Sequence, residues 1–458
     1  MFFRKQHFHF VGIGGIGMSG IADVLLTLGH KVSGSDLKST PITQRLNERG
    51  AQIFFGHAAT NIGPDATALV ITSAVDELNS EIQEARRRKI PVIPRGELLA
   101  ELMRLKYGVA IGGSHGKTTT TSMTATILAA GGLDPTVVVG GRVSTMGGSN
   151  ARVGQSDLLV VESDESDGSF LKLAPIIAVV TNIDREHLDY YQTLDRVLEC
   201  FKEFVNKVPF YGVAILCIDD ENVRRILPEV RRRVVTYGTT PQADLMIRAM
   251  KASPAGTSFE LEWRGEIIGL FQVQVPGVHN VLNATAAVAV CLELGLAVDK
   301  IISGLTAFSG VERRFQVKGE AGGVTVIDDY GHHPTEVRAT LAAARQRQFT
   351  KIHVLFQPHR YTRTQILMDD FASSFFDADS VTLLDIYAAS EAPIEGVNSG
   401  ALIEKISAHG QRDVAYAPSL EAAAKTLAAK AKPGEMILTL GAGSVSQAGE
   451  LILAELNK

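Results

Sequence analysis

The sequence predicts an α/β protein built from three consecutive domains with mostly parallel sheets. Apolar runs of strand length alternate with helical patterns through the whole chain, as expected for repeated βα units. Glycine-rich turns follow two of these runs, at residues 12–17 and 112–116, as they do where a parallel strand leads into a helix. The length of 458 residues suffices for about three domains of roughly 150 residues each.

The composition is 45% hydrophobic and 21% charged, with a formal net charge of −5, which is ordinary for a globular protein. Two short basic runs, residues 86–89 and 231–233, are interpreted as solvated helix faces, so no nucleic-acid partner is expected. No apolar stretch reaches about 18 residues and no signal peptide is predicted, so no membrane partner is expected. Cys200, Cys217 and Cys291 are predicted to be buried thiols, and the expected compartment is the cytoplasm.

The predicted elements of the first domain are a strand at 7–13, a helix at 18–28, a strand at 31–34 and a strand at 68–72. Glycines at 12, 14, 15 and 17, with Asp36 about 20 positions further on, have the spacing of the dinucleotide-binding fingerprint. The chemistry requires only a diphosphate near the turn and a ribose or base near Asp36. NAD, any other nucleotide diphosphate and an unliganded tight turn therefore stay open.

The second domain begins near Tyr107 and carries the most informative motif, Gly113-x-x-Gly116-Lys117-Thr118-Thr119. It lies between an apolar strand at 109–111 and a helix-forming segment. Backbone N–H groups and the helix N-terminus face an anion there, Lys117 adds a positive charge, and the Thr118 hydroxyl can hold Mg²⁺. Ile111 replaces the first glycine of the common phosphate-binding loop, so this is a shorter form. A plain turn rich in small residues is the alternative.

Acidic and imidazole side chains follow the next two predicted strands, at 157–161 and 176–180. Glu162 directly follows the first strand and is the predicted magnesium carboxylate. His187 follows the second strand. A lone histidine is usually structural and imidazole is a less usual Mg²⁺ ligand than oxygen, but the shared sheet edge favours a functional role. Asn280 and Asn283, which open an Ala/Val-rich helix, either cap it or contact a base edge.

The third domain begins after Gly310, with predicted strands at 324–327, 352–356, 381–386 and 436–440. The first strand leads into Asp329, Tyr330 and His332, and the second into His359, Arg360 and Arg363. Two adjacent strand ends carrying acids, imidazoles and guanidiniums cannot be core. They indicate a site for a small zwitterion and an anionic phosphate.

These motifs occur in one order along essentially the full length, and in that order the chain resembles the Mur ligases, the ATP-dependent amide-forming enzymes of peptidoglycan synthesis. The resemblance rests on residues 113–119, Glu162, Asn182 with His187, His279-Asn280-x-x-Asn283, and Arg314-Phe315 with Asp329. Residues 12–20 and 356–363 are similar to the branch that adds the first amino acid to the UDP-sugar. The short phosphate loop is the form that the family uses.

The resemblance implies a function for each region: a UDP-sugar-binding domain at 1–106, an ATP-binding central domain at 107–310, and an amino-acid-binding, closing domain at 311–458. ATP and Mg²⁺ are the implied cofactors. The implied reaction joins L-alanine to the lactyl carboxylate of UDP-N-acetylmuramate through an acyl phosphate. These substrates are small molecules, and the chain is expected to be a monomer or homodimer.

The residues that the resemblance assigns fall into four sets. The UDP-sugar would contact Gly14, Gly15, Ile16, Gly17, Asp36, His57 and Ser73, and the amino acid and reacting carboxylate would contact Tyr330, His332, His359 and Arg360. The nucleotide would contact Gly113, Ser114, His115, Gly116, Lys117, Thr118, Thr119, Asn280, Asn283, Arg314 and Asp329. The magnesium ligands would be Thr118, Glu162 and His187, and the catalytic residues Lys117, Arg314, His359, Arg360 and Arg363.

Several alternatives stay open at the level of sequence. Lys202 lies at the offset from His187 where several relatives carry a carbamylated lysine, but it is interpreted as an ordinary exposed helix lysine. His359 is a candidate for the base that neutralises the incoming ammonium. The related recycling ligase that attaches a tripeptide, an NAD-dependent oxidoreductase and a non-catalytic nucleotide switch are the rival functions. A hinge is expected at residues 309–312, around Gly310.

Overall fold

The computed structural model describes residues 4–72, 74–143, 149–253 and 256–458. It divides into two units. The first comprises residues 1–248, 260–271 and 282–309, and the second comprises residues 249–259, 272–281 and 310–458. Three sheets of five, ten and six strands, in which parallel pairs dominate, confirm the predicted α/β class.

The first sheet consists of β1 (His7–Val11), β2 (Lys31–Asp36), β3 (Gln52–Phe55), β4 (Ala68–Ile71) and β5 (Val92–Pro94), in the order β3-β2-β1-β4-β5. Its helices are α1 (Ile16–Thr27), α2 (Pro41–Glu48), α3 (Ser80–Arg87) and α4 (Arg95–Met103). All its strand pairs are parallel. Their carboxyl ends therefore share one edge, where the glycine turn leaves β1 and Asp36 ends β2.

Local sequence explains where these helices begin. The Thr40 hydroxyl accepts the N–H of Thr43 at the start of α2, and Pro41 occupies the first turn, where a missing N–H costs nothing. Asn79 caps α3 by accepting the N–H of Glu81. These caps mark the starts of α2 and α3.

The second sheet consists of β6 (Tyr107–Gly112), β7 (Thr136–Val143), β8 (Ser149–Arg152), β9 (Leu158–Glu162), β10 (Ile177–Val180), β11 (Val213–Cys217), β12 (Val234–Gly238), β13 (Leu245–Ser253), β14 (Gly256–Trp263) and β15 (Glu266–Val273). Its order is β15-β14-β13-β12-β11-β10-β6-β9-β7-β8. The helices are α5 (Lys117–Ala130), α6 (Leu188–Tyr191), α7 (Leu194–Asn206), α8 (Glu221–Ile226), α9 (Val278–Glu293) and α10 (Val298–Thr306).

Strand β6 lies between β9 and β10 and is parallel to both. The phosphate loop, Glu162 and the segment after β10 therefore emerge at the same edge of the sheet. Behind the loop, α5 packs against α10 through Gly304, where an added Cβ would lie 2.6 Å from the Cα of Ile127. This close approach holds α5, whose N-terminus faces the loop, on a rigid support.

The third sheet consists of β16 (Gln316–Ala321), β17 (Val324–Asp329), β18 (Ile352–Phe356), β19 (Ser380–Leu383), β20 (Val414–Tyr416) and β21 (Met436–Leu440), in the order β16-β17-β21-β18-β19-β20. Its helices are α11 (Pro334–Arg345), α12 (Tyr361–Ile366), α13 (Met368–Ala372), α14 (Ser399–Ala408), α15 (Leu420–Lys430) and α16 (Ala448–Leu456). Only β16 pairs antiparallel among the described strands of this sheet. The predicted bounds of β18 and β21 are confirmed, whereas β19 ends three residues before the predicted 386.

The three cysteines are buried and unpaired, as predicted, with Cys200, Cys217 and Cys291 exposed by 4%, 2% and 0%. Burial raises the pKa of all three thiols, that of Cys217 to about 11. Among the described residues, no helix has both the length and the apolar character needed to cross a membrane.

Candidate active site

The phosphate loop depends on two glycines in left-handed conformations. Gly113 has φ +128° and Gly116 has φ +81°, which side chains with a Cβ rarely adopt. A Cβ on Gly113 would lie 2.0 Å from the Thr181 Oγ1, and one on Gly116 would lie 2.3 Å from the Asn283 Oδ1. Both positions therefore require glycine for space as well as for backbone conformation, and the second contact brings Asn283 to the loop.

The segment that follows β10 braces the loop. The Asn182 Oδ1 accepts the N–H of His115 at 2.8 Å, and the Ser114 Oγ accepts the N–H of Asp184 at 2.8 Å. The His115 ring is engaged as well, because its Nε2 lies 2.9 Å from the Asp184 Oδ2. The backbone of the loop is thereby held in place before any ligand arrives.

Lys117 is held at the mouth of the loop by three oxygens. Its Nζ donates to the carbonyls of Gly113 at 2.7 Å and Ser114 at 2.9 Å, and to the Glu165 Oε1 at 2.7 Å. Burial alone would lower the pKa of Lys117, but the carboxylates of Glu165, Glu162 and Asp164 together outweigh it, so that the pKa is raised and the ammonium is charged. Burial raises the pKa of the Glu165 carboxyl to about 7, against the attraction of Lys117.

Glu165 is a site residue that the sequence reasoning missed. It is 3% exposed, and its Oε2 has no hydrogen-bond partner among the described residues. In the sequence, Glu165 lies inside an acidic run after β9. Glu162 is the predicted magnesium ligand because it is the first residue after the predicted strand. No local signal separates the two, because the bond between Glu165 and Lys117 joins residues 48 positions apart in the sequence.

The oxygen atoms in and around Glu162 suit a hard divalent cation. The Thr118 Oγ1 donates to the Glu162 Oε1 at 2.9 Å, and the N–H of Gly140 donates to the Oε2 at 2.6 Å. His187 has an unusual left-handed backbone, φ +54°, at the start of α6, and its Nε2 lies 3.8 Å from the Glu165 Oε1. A hydroxyl and two carboxylates, one of which has a buried oxygen without a hydrogen-bond partner among the described residues, are chemically the oxygen-rich set that Mg²⁺ prefers.

The glycine turn after β1 is shaped by Asp36. The Asp36 Oδ2 accepts the N–H of Gly14 at 2.8 Å, and a Cβ on Gly14 would lie 2.8 Å from the same oxygen. Asp36 therefore holds the turn, in addition to any contact with a ribose. Gly15 precedes α1 as its N-cap and Ile16 begins it. Ser73, predicted to contact the UDP-sugar, lies outside the described residues.

A buried polar network stands behind the same sheet edge. The Glu81 carboxylate is fully buried and accepts from the Ser35 hydroxyl at 2.6 Å and the Asn61 amide at 2.7 Å. The Nδ1 of His57 lies 2.8 Å from the Ser35 Oγ and 3.3 Å from the Glu81 Oε2. Because the Ser35 proton is donated to Glu81, the His57 Nδ1 must donate, and the neutral ring carries its lone pair on Nε2.

In the second unit, two arginines flank one aromatic ring. The guanidinium carbons of Arg313 and Arg314 lie 4.9 Å and 5.1 Å from the centroid of Tyr330. Arg313 has φ +59°, and its guanidinium also contacts Asp328. Arg314 additionally lies 3.4 Å from the Glu336 Oε1, which anchors it to α11. Arg313 and Glu336 were not predicted as site residues.

Asp329 and Asn280 have structural partners in this unit. The Asp329 carboxylate accepts the N–H groups of Phe315 at 2.7 Å and Gly331 at 2.8 Å. Burial raises its pKa, against the attraction of Arg314. The Asn280 amide donates to the Pro276 carbonyl at 2.6 Å, which is not an N-cap, since a capping side chain accepts a backbone N–H. Both assignments to the nucleotide stay predictions.

Four rings line the strand ends of the third sheet. His332 meets Tyr330 edge-on at 5.2 Å and His359 edge-on at 5.7 Å, and His359 stacks on Tyr387 at 5.6 Å with an interplanar angle of 8°. The sequence missed Tyr387. The isolated bridge between residues 359 and 387 brings it here, and no local motif announces such a long-range pairing.

The two histidines have opposite tautomers when neutral. The Nη1 of Arg363 lies 3.1 Å from the Nδ1 of His359, and because a guanidinium can only donate, that Nδ1 accepts and the proton resides on Nε2. The Nδ1 of His332 lies 3.0 Å from the carbonyl of Tyr330, so it must donate and the lone pair is on Nε2. His332 therefore presents a base, and His359 presents a donor.

Two remaining predicted positions have ordinary surface partners. The Arg360 Nη1 lies 4.0 Å from the Glu391 Oε1, and Arg360 has φ +69° at the start of α12. The Lys202 Nζ lies 2.9 Å from the Glu229 Oε2 and is one-third exposed, which agrees with its interpretation as an ordinary helix lysine.

Three consecutive α/β sheets, with a phosphate-binding loop on the middle one, define a three-domain ligase architecture. The chain belongs to the Mur ligase family. The family's catalytic domain matches residues 7–107, its middle domain residues 111–291, and its glutamate ligase domain residues 313–443.

Named relatives match along the full length. The chain is 64% identical over 456 residues to the UDP-N-acetylmuramate–L-alanine ligase of Solibacter usitatus, covering 100% of this chain and 96% of the relative. A solved UDP-N-acetylmuramate–alanine ligase from Thermotoga maritima is 29% identical, with a TM-score of 0.82 and 98% of both chains covered. A murein peptide ligase from Psychrobacter arcticus, 23% identical with a TM-score of 0.72 and 99% of both chains covered, shares the fold.

Proposed function

We propose that this chain joins L-alanine to the lactyl carboxylate of UDP-N-acetylmuramate, using ATP and releasing ADP and phosphate. The observation that carries the proposal is the partly buried Lys117, held between the phosphate-loop carbonyls and Glu165 at a strand edge rich in carboxylates. The 64% identity to a relative named for this reaction supports it. Within the proposal, residues 1–106 bind the UDP-sugar, 107–310 bind ATP and 311–458 bind the amino acid.

The charges dictate the order of events. An amine cannot displace oxide from a carboxylate, so the carboxylate must first take the γ-phosphoryl group of ATP. Lys117 neutralises charge that develops on the transferred group, and Arg314 is the proposed second cation. Thr118, Glu162 and His187 would hold Mg²⁺, which supplies further neutralisation of the phosphate oxygens when bound.

The amino-acid side needs a carboxylate receptor and a base. Arg360 and Arg363 supply guanidiniums, and His359 offers its Nε2–H, so these three groups suit the carboxylate of alanine. The ammonium must lose a proton before it can attack, because it has no lone pair. The basic Nε2 of His332 suits that role better than His359, whose tautomer is set by Arg363.

The proposal has a direct test. ADP release should require UDP-N-acetylmuramate and L-alanine together, and a panel with serine, glycine and the tripeptide of the recycling reaction defines the acceptor. Full ADP release without either co-substrate would contradict the proposal. Thermal shifts separate the rival classes, because Mg-ATP and the UDP-sugar should stabilise this ligase, whereas NADH would stabilise an oxidoreductase and a guanine nucleotide a switch. We also place the enzyme in the cytoplasm, as a monomer or homodimer.

A further inference from the structure

Arg95 connects two parts of the first unit that the sequence treated separately. It is the first residue of α4, after β5, and its side chain runs back to the first turn of α1. A Cβ on Gly17 would lie 2.5 Å from the Arg95 Nη1, 3.0 Å from its Cζ and 3.1 Å from its Cδ. The guanidinium therefore lies directly on the backbone of the glycine turn.

This contact gives Gly17 a specific reason to be glycine. Gly17 is helical and has no left-handed backbone, so conformation does not require it. Any side chain here would displace the guanidinium. The third glycine of such a turn usually permits close packing of helix against strand, whereas this one admits a cation at the phosphate end of the turn.

The other side of the same guanidinium binds the acidic loop after β9. The Arg95 Nη2 lies 2.7 Å from the Asp164 Oδ2, and the Asp164 Oδ1 accepts the N–H of Ser166 at 3.1 Å. Burial alone would raise the pKa of Asp164, but Arg95 and these hydrogen bonds lower it to about 2. The next residue along the chain, Glu165, holds Lys117.

A cleft lies on the side of Arg95 that faces the acidic loop. It is small and open to solvent, and is lined by Arg95, Glu162 and Asp164, together with Gly96, Ser169 and Phe170. Arg95, which is 20% exposed, thus faces a cleft that also contains the proposed magnesium carboxylate. A planar guanidinium can hold a carboxylate with one nitrogen and an anionic ligand with another, which a lysine ammonium cannot do with the same geometry.

We propose that Arg95 is a further binding residue for the diphosphate of the sugar nucleotide, and that Asp164 positions it. The inference rests on the proposed function, which brings a UDP-sugar to the glycine turn. Nη1 faces the diphosphate at Gly17 while Nη2 keeps its bond to Asp164. The sugar nucleotide is thereby connected by one side chain to the loop that carries Glu162 and Glu165.

The test compares ligands with and without phosphates on the full-length protein. Calorimetry measures UDP-N-acetylmuramate and UDP, and saturation-transfer NMR measures uridine, which lacks the diphosphate. Arg95→Gln should weaken both diphosphates by about 10- to 100-fold, as expected for loss of charged hydrogen bonds, and leave uridine within about twofold. Arg95→Lys, which keeps the charge, should recover part of the loss. Arg104→Gln, at the C-cap of the same helix with an exposed side chain paired to Glu101, is the matched control and should bind like wild type.

Asp164→Asn tests the positioning role. It should weaken UDP less than Arg95→Gln does, and the double variant should bind no more weakly than Arg95→Gln alone, because the carboxylate acts through the guanidinium. The inference is overturned if Arg95→Gln binds UDP within twofold of wild type, or if it weakens uridine as much as UDP. If wild type binds neither UDP nor the UDP-sugar, the proposed function fails as well, which distinguishes the two outcomes.

Discussion

At the scale of single residues, variants of the Lys117–Glu165 pair distinguish an effect on catalysis from an effect on stability. Lys117→Ala should lower ATP turnover by about 10²–10³-fold, since the charge acts most strongly on the transition state. It also leaves Glu165 buried without its partner, which lowers stability. The double variant Lys117→Ala/Glu165→Gln should recover thermal stability and stay inactive, measured by melting and ADP release. Recovery of activity in the double variant would contradict the role of Lys117.

The opposite tautomers of His332 and His359 predict different kinetic defects. His332→Ala should lower kcat, with partial rescue by added imidazole, because a base has been removed. His359→Gln should mainly raise the KM for alanine, because a donor to its carboxylate has been weakened, and imidazole should not rescue it. Steady-state kinetics with and without imidazole test which histidine is the base. If imidazole rescued only the His359 variant, His359 would be the base and His332 would not.

Glu81 predicts a pH dependence of stability. Burial alone would raise its pKa, but the neighbouring His9 ring and hydrogen bonds from Ser35 and Asn61 keep it below the usual 4.5. The pKa of Glu81 is therefore lower in the folded state than in the unfolded state. Its contribution to the free energy of unfolding is fully present above the unfolded-state pKa and is lost as the pH falls through the folded-state pKa. Glu81→Gln should cost about 1–3 kcal/mol at neutral pH, with a smaller difference from wild type in acid.

Urea unfolding at several pH values measures this effect. Glu84→Gln, on the same helix with a side chain that pairs with the exposed Arg87, is the control and should change the midpoint less than Glu81→Gln does. A difference between Glu81→Gln and wild type that grows as the pH falls would contradict the assigned direction.

At the scale of elements, the two ends of α5 offer a matched pair of glycines. Gly132 has φ +86° with nothing within 4 Å of an added Cβ, whereas Gly116 has φ +81° and a clash with Asn283. Gly132→Ala should cost about 1 kcal/mol of stability and keep ATP turnover. Gly116→Ala adds displacement of the loop, and a shift of about 1 Å can cost about a hundredfold in turnover. Equal turnover in the two variants would show that the loop tolerates the shift.

Most elements could be predicted because apolar periodicity and glycine turns are local signals. Strands such as β18 and β21 have the predicted bounds, and the phosphate loop lies where its motif placed it. The long strands β13–β15 were not identified. Their stability depends on pairing with neighbouring strands, and the alternation of apolar and polar residues in a sequence does not show which strands will pair. Glu165 and Tyr387 were missed for the same reason, since each reaches its partner across the fold.

At the scale of the whole molecule, the proposed assignments divide the substrates between two units. The phosphate loop belongs to the first unit, and Arg314, His332 and His359 belong to the second. Bond formation requires the reacting groups within contact distance, so a ternary complex with the UDP-sugar and a non-hydrolysable ATP analogue should be more compact than the apo protein. Small-angle scattering measures this, and an unchanged radius of gyration across apo, binary and ternary states would contradict closure.

Gly310, inside the predicted hinge, has φ +112° and the Val275 Cγ1 at 3.6 Å from an added Cβ. Gly310→Ala should therefore strain this backbone without a severe clash. A reduced change in the radius of gyration between apo and ternary states would support a hinge at residues 309–312, whereas a wild-type change would place it elsewhere.

The buried cysteines make this protein convenient for distance measurements. The thiolate is the nucleophile that attacks a maleimide, so three thiols at 4% exposure or less, each with a raised pKa, will react slowly with maleimide dyes. A cysteine introduced at an exposed position in each unit would then be the fast-reacting pair, with no need to remove the native ones. Fluorescence transfer between two such dyes would follow substrate-driven closure in single molecules, with the natural core intact.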